Sequence, residues 1–284
     1  MRALYDVPAP AKLNLFLHVL GRRDDGMHLL QSAFMLIDWC DSLHFEWRDG
    51  GGISREDLGA ALPEDDLIVR AARALQAATG TKAGAHIAVE KRIPSEAGLG
   101  GGSSDAASTL LALNRFWGTK LGRSQLTAIG VALGADVPFF LGGRNAWVEG
   151  IGDKLTPVAL PPARFAVVKP SAGVRTERIF ADPALKRSTA AAIISGFAAN
   201  PFAFGANDLQ PVAQRLCPEV DEALQWLGAQ GLDARMTGSG SAVYALLAPG
   251  KQLETPEGAR AGWQVRECSS VEVHPLAGWA TSDD

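Results

Sequence analysis

Pro94-Ser95-Glu96-Ala97-Gly98-Leu99-Gly100-Gly101-Gly102-Ser103-Ser104-Asp105-Ala106-Ala107 packs four glycines into five positions, adds two serines, and runs straight into an Ala/Leu-rich stretch. The residues before it, His86-Ile87-Ala88-Val89-Glu90-Lys91-Arg92, alternate and carry β-branched Ile87 and Val89, which predicts a strand. Strand, glycine loop and helix start, in that order, aim several backbone N–H groups at one point where an anion can be held. Glycine suits such a loop because a Cβ would block a phosphate and disfavour positive φ. A flexible Gly/Ser linker has a similar composition. A linker does not run unbroken into an amphipathic helix, however, and Ala106, Ala107, Leu110, Leu111 and Leu113 recur at helical spacing. Ser103 or Ser104 is expected to cap that helix, with Asp105 in its first turn and turned away from the anion.

The common phosphate and nucleophile templates all fail here. A Walker A loop requires a lysine after the glycines, and none follows. A dinucleotide fingerprint requires Gly or Ala five residues after the first glycine, where Gly98 has Ser103. A hydrolase elbow requires Gly-x-Ser-x-Gly, which neither Ser103 nor Ser104 satisfies.

The 284 residues suffice for one large domain or two smaller ones, with 47% hydrophobic and 20% charged residues as in ordinary globular proteins. A net charge of −4 supplies no global field towards nucleic acid or an anionic membrane, so neither is an expected partner. Any phosphate must be held locally, by amides, a helix end or single cations. Cys40, Cys217 and Cys268 are odd in number and form no C-x-x-C pair, which argues against a disulfide framework or zinc site. His18, His28, His44, His86 and His274 form no metal-binding spacing, and no metal ligand is expected. No apolar run reaches 18 residues, and the first residues lack the apolar core of a signal peptide. A cytoplasmic location is therefore expected.

A strand is predicted over 12–20, opened by Pro8-Ala9-Pro10-Ala11, with Leu13, Leu15, Leu17 and Val19 on one face. Lys12, Asn14, Phe16 and His18 fall on the other, where Lys12 and Asn14 form either a solvated patch or a polar site. Two strands are expected over 27–41 and 42–47, with Asp49-Gly50-Gly51-Gly52 as a hairpin loop. Glu64-Asp65-Asp66 starts a helix with the stripe Leu67, Ile68, Ala71, Ala72, Leu75 and Ala78, ended by Thr79-Gly80. Ser124 is expected to cap a further helix to Leu133. Gly134-Ala135-Asp136-Val137-Pro138-Phe139-Phe140 isolates one aspartate among apolar residues. Asp136 is thus either the cap of a short helix or a general base or metal ligand. The composition shift at Thr156-Pro157-Val158-Ala159-Leu160-Pro161-Pro162 predicts domains over 1–157 and 158–284. The second half alternates helices, near 175–180, 188–199, 207–216 and 218–228, with strands that include 164–169, 243–247 and 263–273. Thr237-Gly238-Ser239-Gly240 follows a strand over 233–236 and is by default a tight turn.

Pro10-Ala11-Lys12-Leu13-Asn14-Leu15, the glycine loop and Thr237-Gly238-Ser239-Gly240 resemble, in order, the three motifs of the galactokinase/homoserine kinase/mevalonate kinase/phosphomevalonate kinase superfamily. Gly98 to Ala107, Gly21-Arg22-Arg23-Asp24-Asp25-Gly26-Met27-His28 and Gly134 to Phe139 look more closely like its branch acting on a cytidine-diphosphate-linked methylerythritol. The resemblance runs from Pro8 to Leu247. It implies an α+β two-domain fold: an N-terminal ribosomal-protein-S5-domain-2-like nucleotide-binding domain, a C-terminal ferredoxin-like domain, and the site in the cleft between them.

It also implies ATP and Mg²⁺, with phosphoryl transfer to the 2-hydroxyl of that small-molecule substrate on the non-mevalonate route to isoprenoid precursors. By the same resemblance Lys12 and Asp136 are catalytic. Leu67, Lys91, Pro94, Gly98, Leu99, Gly100, Gly101, Gly102, Ser103 and Ser104 hold ATP. Asn14, Met27, His28, Thr176, Phe180, Gly238 and Ser239 hold the substrate, with Phe180 stacking on the base and His28 bonding its edge. Asn207 and Asp208 are placed in the same cleft. Met27 replaces a tyrosine common among relatives and Asp66 replaces an asparagine. A monomer or weak homodimer is expected. The competing readings are a homoserine- or mevalonate-type kinase and a nucleotide-binding sensor of the same fold, although a sensor would be expected to have lost Lys12 or Asp136.

Overall fold

Two long strands, β1 (Ala3–Arg22) and β2 (His28–Arg48), pair antiparallel along most of their length and organise the molecule. The structure is a computed structural model that describes residues 2–253 and 262–281. Met1, 254–261 and 282–284, including part of the expected 158–284 domain, lie outside the described residues. In chain order follow β3 (Ile53–Asp57), α1 (Leu67–Thr79), β4 (Gly84–Glu90), α2 (Gly101–Phe116), α3 (Arg123–Leu133), α4 (Val137–Gly142), β5 (Ala146–Glu149) and β6 (Lys154–Pro157). The second half contains β7 (Arg164–Lys169), α5 (Thr176–Ala181), α6 (Ile194–Ala199), α7 (Gln210–Leu216), α8 (Pro218–Ala229), β8 (Ala234–Met236), β9 (Val243–Leu247) and β10 (Gln264–Val271). The architecture is α+β, with helices α1 to α4 packed in the N-terminal half and α7 and α8 in the C-terminal half.

The strand order is β3-β4-β2-β10-β7-β9-β8, with β1 and β5 also on β2. The break expected between residues 41 and 42 is absent, because β2 continues through it, with Asp41 and Ser42 paired to β1 and Ser42 onward paired to β4. Asp49 to Gly52 is not a hairpin loop either. Asp49–Gly51 forms a 3-10 turn kinked at Gly50 that carries the chain past β2, and β3 pairs in parallel with β4 instead. Helix α1 begins and ends where expected: Asp66 accepts from Val69 N–H, and Gly80 closes it in the left-handed conformation. Its buried Ile68, Val69 and Leu75 are each worth about 1.5–3 kcal/mol of transfer free energy. The 188–199 helix is shorter than expected, reduced to α6.

Strand β1 feeds three apolar clusters in turn. Val7 and Ala9 join the core under α1 and α2; Ala11, Leu13, Leu15 and Phe16 join a middle cluster with Met35, Phe165 and Tyr244; Leu17 and Val19 join the core of the C-terminal half. The simple two-face alternation expected for 12–20 fails at a register shift between Asn14 and Leu17, which puts Phe16 in the same cluster as Leu13 and Leu15. The second shift, between Pro10 and Ala11, follows a residue with no N–H to give the ladder.

His274 is buried beside α4, accepts from Leu276 N–H at 3.1 Å through Nδ1, and has no partner for Nε2 among the described residues. Burial, then Arg123, pushes its pKa down to about 4. Between pH 6.5 and 4 the unfolded chain therefore binds this proton and the native state does not, so stability falls as pH falls. Acid titration of the denaturation midpoint should show a loss of roughly 3 kcal/mol across that window. His274→Asn should abolish that component, and an unchanged acid slope in the variant would refute it.

Candidate active site

The free edge of β1 gathers the three motifs. Lys12 N–H donates to Leu99 O at 2.9 Å, Asn14 N–H donates to Thr237 Oγ1 at 2.8 Å, and Leu17 exchanges bonds with Ala206 and Asp208. The sequence-distant loops at 94–100 and 237–240 are thereby fixed side by side. Ser241 and Ala242 N–H close the contact by donating to Glu96 O and Ala97 O. Lys12 and Asn14 are buried, not solvated. Lys12 Nζ donates to Asn14 Oδ1 and, at 3.1 Å, to Gly98 O, while Asn14 Nδ2 donates to Ser32 Oγ.

Asp136 holds the N-cap position of α4, yet its side chain caps nothing. It lies 3.5 Å from Lys12 Nζ and is 29% exposed to the cleft. The capping alternative is therefore excluded: Pro138 already fills the first turn and removes one amide a cap would serve. What remains is a carboxylate paired with a buried ammonium at the mouth of a cavity.

Helix α2 starts earlier than the sequence suggested. Gly100, at φ +73°, is its N-cap, so Ser103 and Ser104 are inside the first turn and Asp105 falls beyond it. The amides of Gly101, Gly102 and Ser103 are those without intrahelical partners, and they carry the helix dipole. Ser104 departs from its expected role. Its N–H donates to Gly100 O, its Oγ donates to Pro10 O, and it does not line the cleft. Gly98, at φ +72°, has no room for a side chain, since a Cβ would lie 2.2 Å from Thr237 O. Gly98→Ala should therefore lower the melting temperature, with strain of about 1–3 kcal/mol, and weaken nucleotide affinity measured by calorimetry. An unshifted melting temperature would refute the tight loop contact.

Asp105 is buried beneath the loop, where it and Asp41 share the ammonium of Lys91. Burial pushes Asp105 upward against the pull of Lys91, and Asp41 adds repulsion. Lys91 is held above its ordinary value because the two carboxylates outweigh burial. Asp41 also accepts the N–H groups of Arg92 and Ile93, so it ties the entry of the loop to the helix that leaves it. Asp41 was not singled out from the sequence. Its neighbours Asp38, Ser42 and His44 are polar, so nothing local in the sequence sets it apart.

One cleft of about 1450 Å³ contains nearly all the expected residues. Lys12, Asn14, Met27, His28, Leu67, Lys91, Pro94, Gly98 through Ser103, Asp136, Thr176, Phe180, Gly238 and Ser239 line it. That volume exceeds the 300–1,000 Å³ of a usual single-ligand site and leaves room for two nucleotide-sized molecules. Asn207 and Asp208 lie behind the wall, not on it. Asn207 Nδ2 donates to Met236 O and Gly238 O, and Asp208 accepts from Val19 N–H and Thr189 Oγ1. Asp66 is occupied in capping α1 and pairs with Arg55 at 2.8 Å. At the far end the His28 and Phe180 rings lie 4.9 Å apart at 33°, with exposed Met27 beside His28 in the chain. Thr176 Oγ1 and Ser239 Oγ hydrogen-bond at 2.6 Å.

The GHMP kinases N terminal domain model matches residues 66–144 and the GHMP kinases C terminal model matches 185–264. The chain is 65% identical over 283 residues to a 4-diphosphocytidyl-2-C-methyl-D-erythritol kinase of Albidiferax ferrireducens, covering 100% of this chain and 98% of that one. It is 63% identical to the same-named protein of Variovorax paradoxus, covering 99% and 100%. A crystal structure of 4-(cytidine 5'-diphospho)-2C-methyl-D-erythritol kinase superposes with TM-score 0.78 at 35% identity, covering 93% of this chain and 98% of that one. Methanococcus jannaschii mevalonate kinase shares the fold at TM-score 0.70 and 16% identity, over 95% and 98% of the two chains. With two GHMP half-domains, one cleft between them, and relatives this similar over their full length, the chain belongs to the 4-diphosphocytidyl-2-C-methyl-D-erythritol kinase family of GHMP kinases.

Proposed function

We propose that this kinase transfers the γ-phosphoryl group of ATP to the 2-hydroxyl of 4-diphosphocytidyl-2-C-methyl-D-erythritol, with Asp136 as base. The observation that carries the mechanism is the Lys12–Asp136 pair, 3.5 Å apart where the glycine loop meets the cleft. Phosphoryl transfer asks mainly for positioning and charge stabilisation, and each part has a candidate here. The unbonded amides at the start of α2, and the close backbone approach that the glycines allow, suit a triphosphate. The Asp136 carboxylate orients the acceptor hydroxyl and takes its proton. The Lys12 ammonium, fixed by Asn14 Oδ1 and Gly98 O, faces both that carboxylate and the loop. No group of three or more His, Cys, Asp or Glu among the described residues could cage a metal. Mg²⁺ brought in with ATP would rely mainly on phosphate and water oxygens, and its charge would offset that of the transferring group.

The opposite end of the cleft suits a pyrimidine. Phe180 offers a ring face, His28 a polar edge, and Met27 a polarisable thioether in place of a second aromatic. The test is an assay with Mg²⁺-ATP and four alcohols: the cytidyl-diphosphate compound, methylerythritol phosphate without cytidine, mevalonate and homoserine. Phosphorylation of the first alone is expected. Transfer to mevalonate or homoserine but not to the cytidyl compound would overturn the proposal, and no transfer to any of the four, with ATP still bound, would favour a sensor.

A further inference from the structure

Arg187 belongs to the coil between α5 and α6, and all three guanidinium nitrogens are engaged. Nη1 donates to Leu185 O, Nη2 to Phe180 O and Asp182 O, and Nε to Nε2 of His28 at 3.0 Å. The first three bonds rigidify the guanidinium on the segment that also carries Phe180. The fourth reaches across to the loop before β2. A guanidinium has donors only and keeps its proton, so His28 Nε2 must be the acceptor. The neutral imidazole then bears its hydrogen on Nδ1, its one remaining polar atom. Burial, then the cations Arg187 and Arg22, lower the affinity of His28 for a second proton, which favours that neutral form.

We propose that Arg187 is a positioning residue that locks His28 as an Nδ1–H donor and thereby makes the cleft prefer cytosine to uracil. The inference rests on the reading in which His28 and Phe180 take the base. Cytosine N3 is an acceptor and matches an N–H donor, whereas uracil carries hydrogen at N3 and would oppose donor to donor. The other tautomer would present an acceptor and reverse the preference. Because Arg187 also holds Phe180 O, one side chain registers the stacking ring against the edge-reading ring.

The test combines long-range ¹H–¹⁵N spectra of the full chain with kcat/KM for cytidine- and uridine-diphosphate-linked methylerythritol. His28 signals are identified by their loss in His28→Ala. The wild type should show the Nδ1–H tautomer. Arg187→Ala should mix the tautomers and lower the cytidyl preference about tenfold, through KM and with kcat unchanged. An Nε2–H tautomer in the wild type would overturn the inference. So would an Arg187→Ala enzyme with wild-type preference when His28→Ala has lost it. If His28→Ala itself keeps the preference, the base is not read by His28, and the underlying reading fails together with the inference. Should Arg187→Ala not fold, the wild-type tautomer alone decides.

Discussion

Asp136→Asn is expected to lower kcat by about 10²–10⁴-fold while leaving ATP affinity unchanged. Asparagine is nearly isosteric and α4 does not use this side chain as a cap, so the backbone has little reason to move, although the buried Lys12 ammonium loses its partner charge and some stability goes with it. In the proposed mechanism the variant lacks the anionic oxygen that takes the hydroxyl proton, while the amides proposed to hold the triphosphate belong to another helix, α2. Steady-state kinetics with nucleotide titration separates the two effects. Near-normal turnover would remove Asp136 from the mechanism, and a parallel collapse of ATP binding would mean that it acts on the nucleotide instead.

Lys12→Met should lower kcat by about 10²–10³-fold, the usual effect of deleting one preorganised group that faces developing charge. It should also lose stability. The buried Lys12 ammonium is a donor to Asn14 Oδ1 and Gly98 O, and each buried acceptor left unsatisfied costs about 1–3 kcal/mol. Thermal denaturation beside kinetics resolves the two losses. The double variant with Asp136→Asn should be no slower than the worse single variant if the pair acts as a unit. Full multiplicativity of the two effects would show that the groups act separately.

The local devices were legible because they follow from backbone chemistry. Glycines at 98–102 announce close approach and positive φ, the Asp66 and Gly80 caps bracket α1, and an acid at 136 among apolar residues stands out. Other features are decided by contacts distant in the chain. Intrinsic tendency favours serine as the cap of α2, but Gly100 in the left-handed conformation starts the helix sooner, which takes Ser104 out of the cleft and buries Asp105 beneath the loop. Likewise the resemblance puts Asn207 and Asp208 in the cleft, whereas both are spent on backbone groups that hold the 237–240 loop and β1. A short polar side chain next to a site looks the same in sequence whether it faces the ligand or the scaffold.

By itself the sequence determined a glycine-rich loop that opens a helix, a lysine–asparagine strand and an isolated aspartate, which together resemble GHMP-kinase motifs. These depend on residue type and on spacing within a dozen positions. Tertiary structure alone decided which partners each group has. Lys12 meets Gly98, 86 residues away, Asn14 meets Thr237, 223 away, and His28 meets Arg187, 159 away. Such pairings are set by the path of β1 across three apolar clusters and by the register shifts that steer it. Hydrophobic burial that draws those clusters together is non-directional, so no local pattern announces which polar groups it will bring into contact.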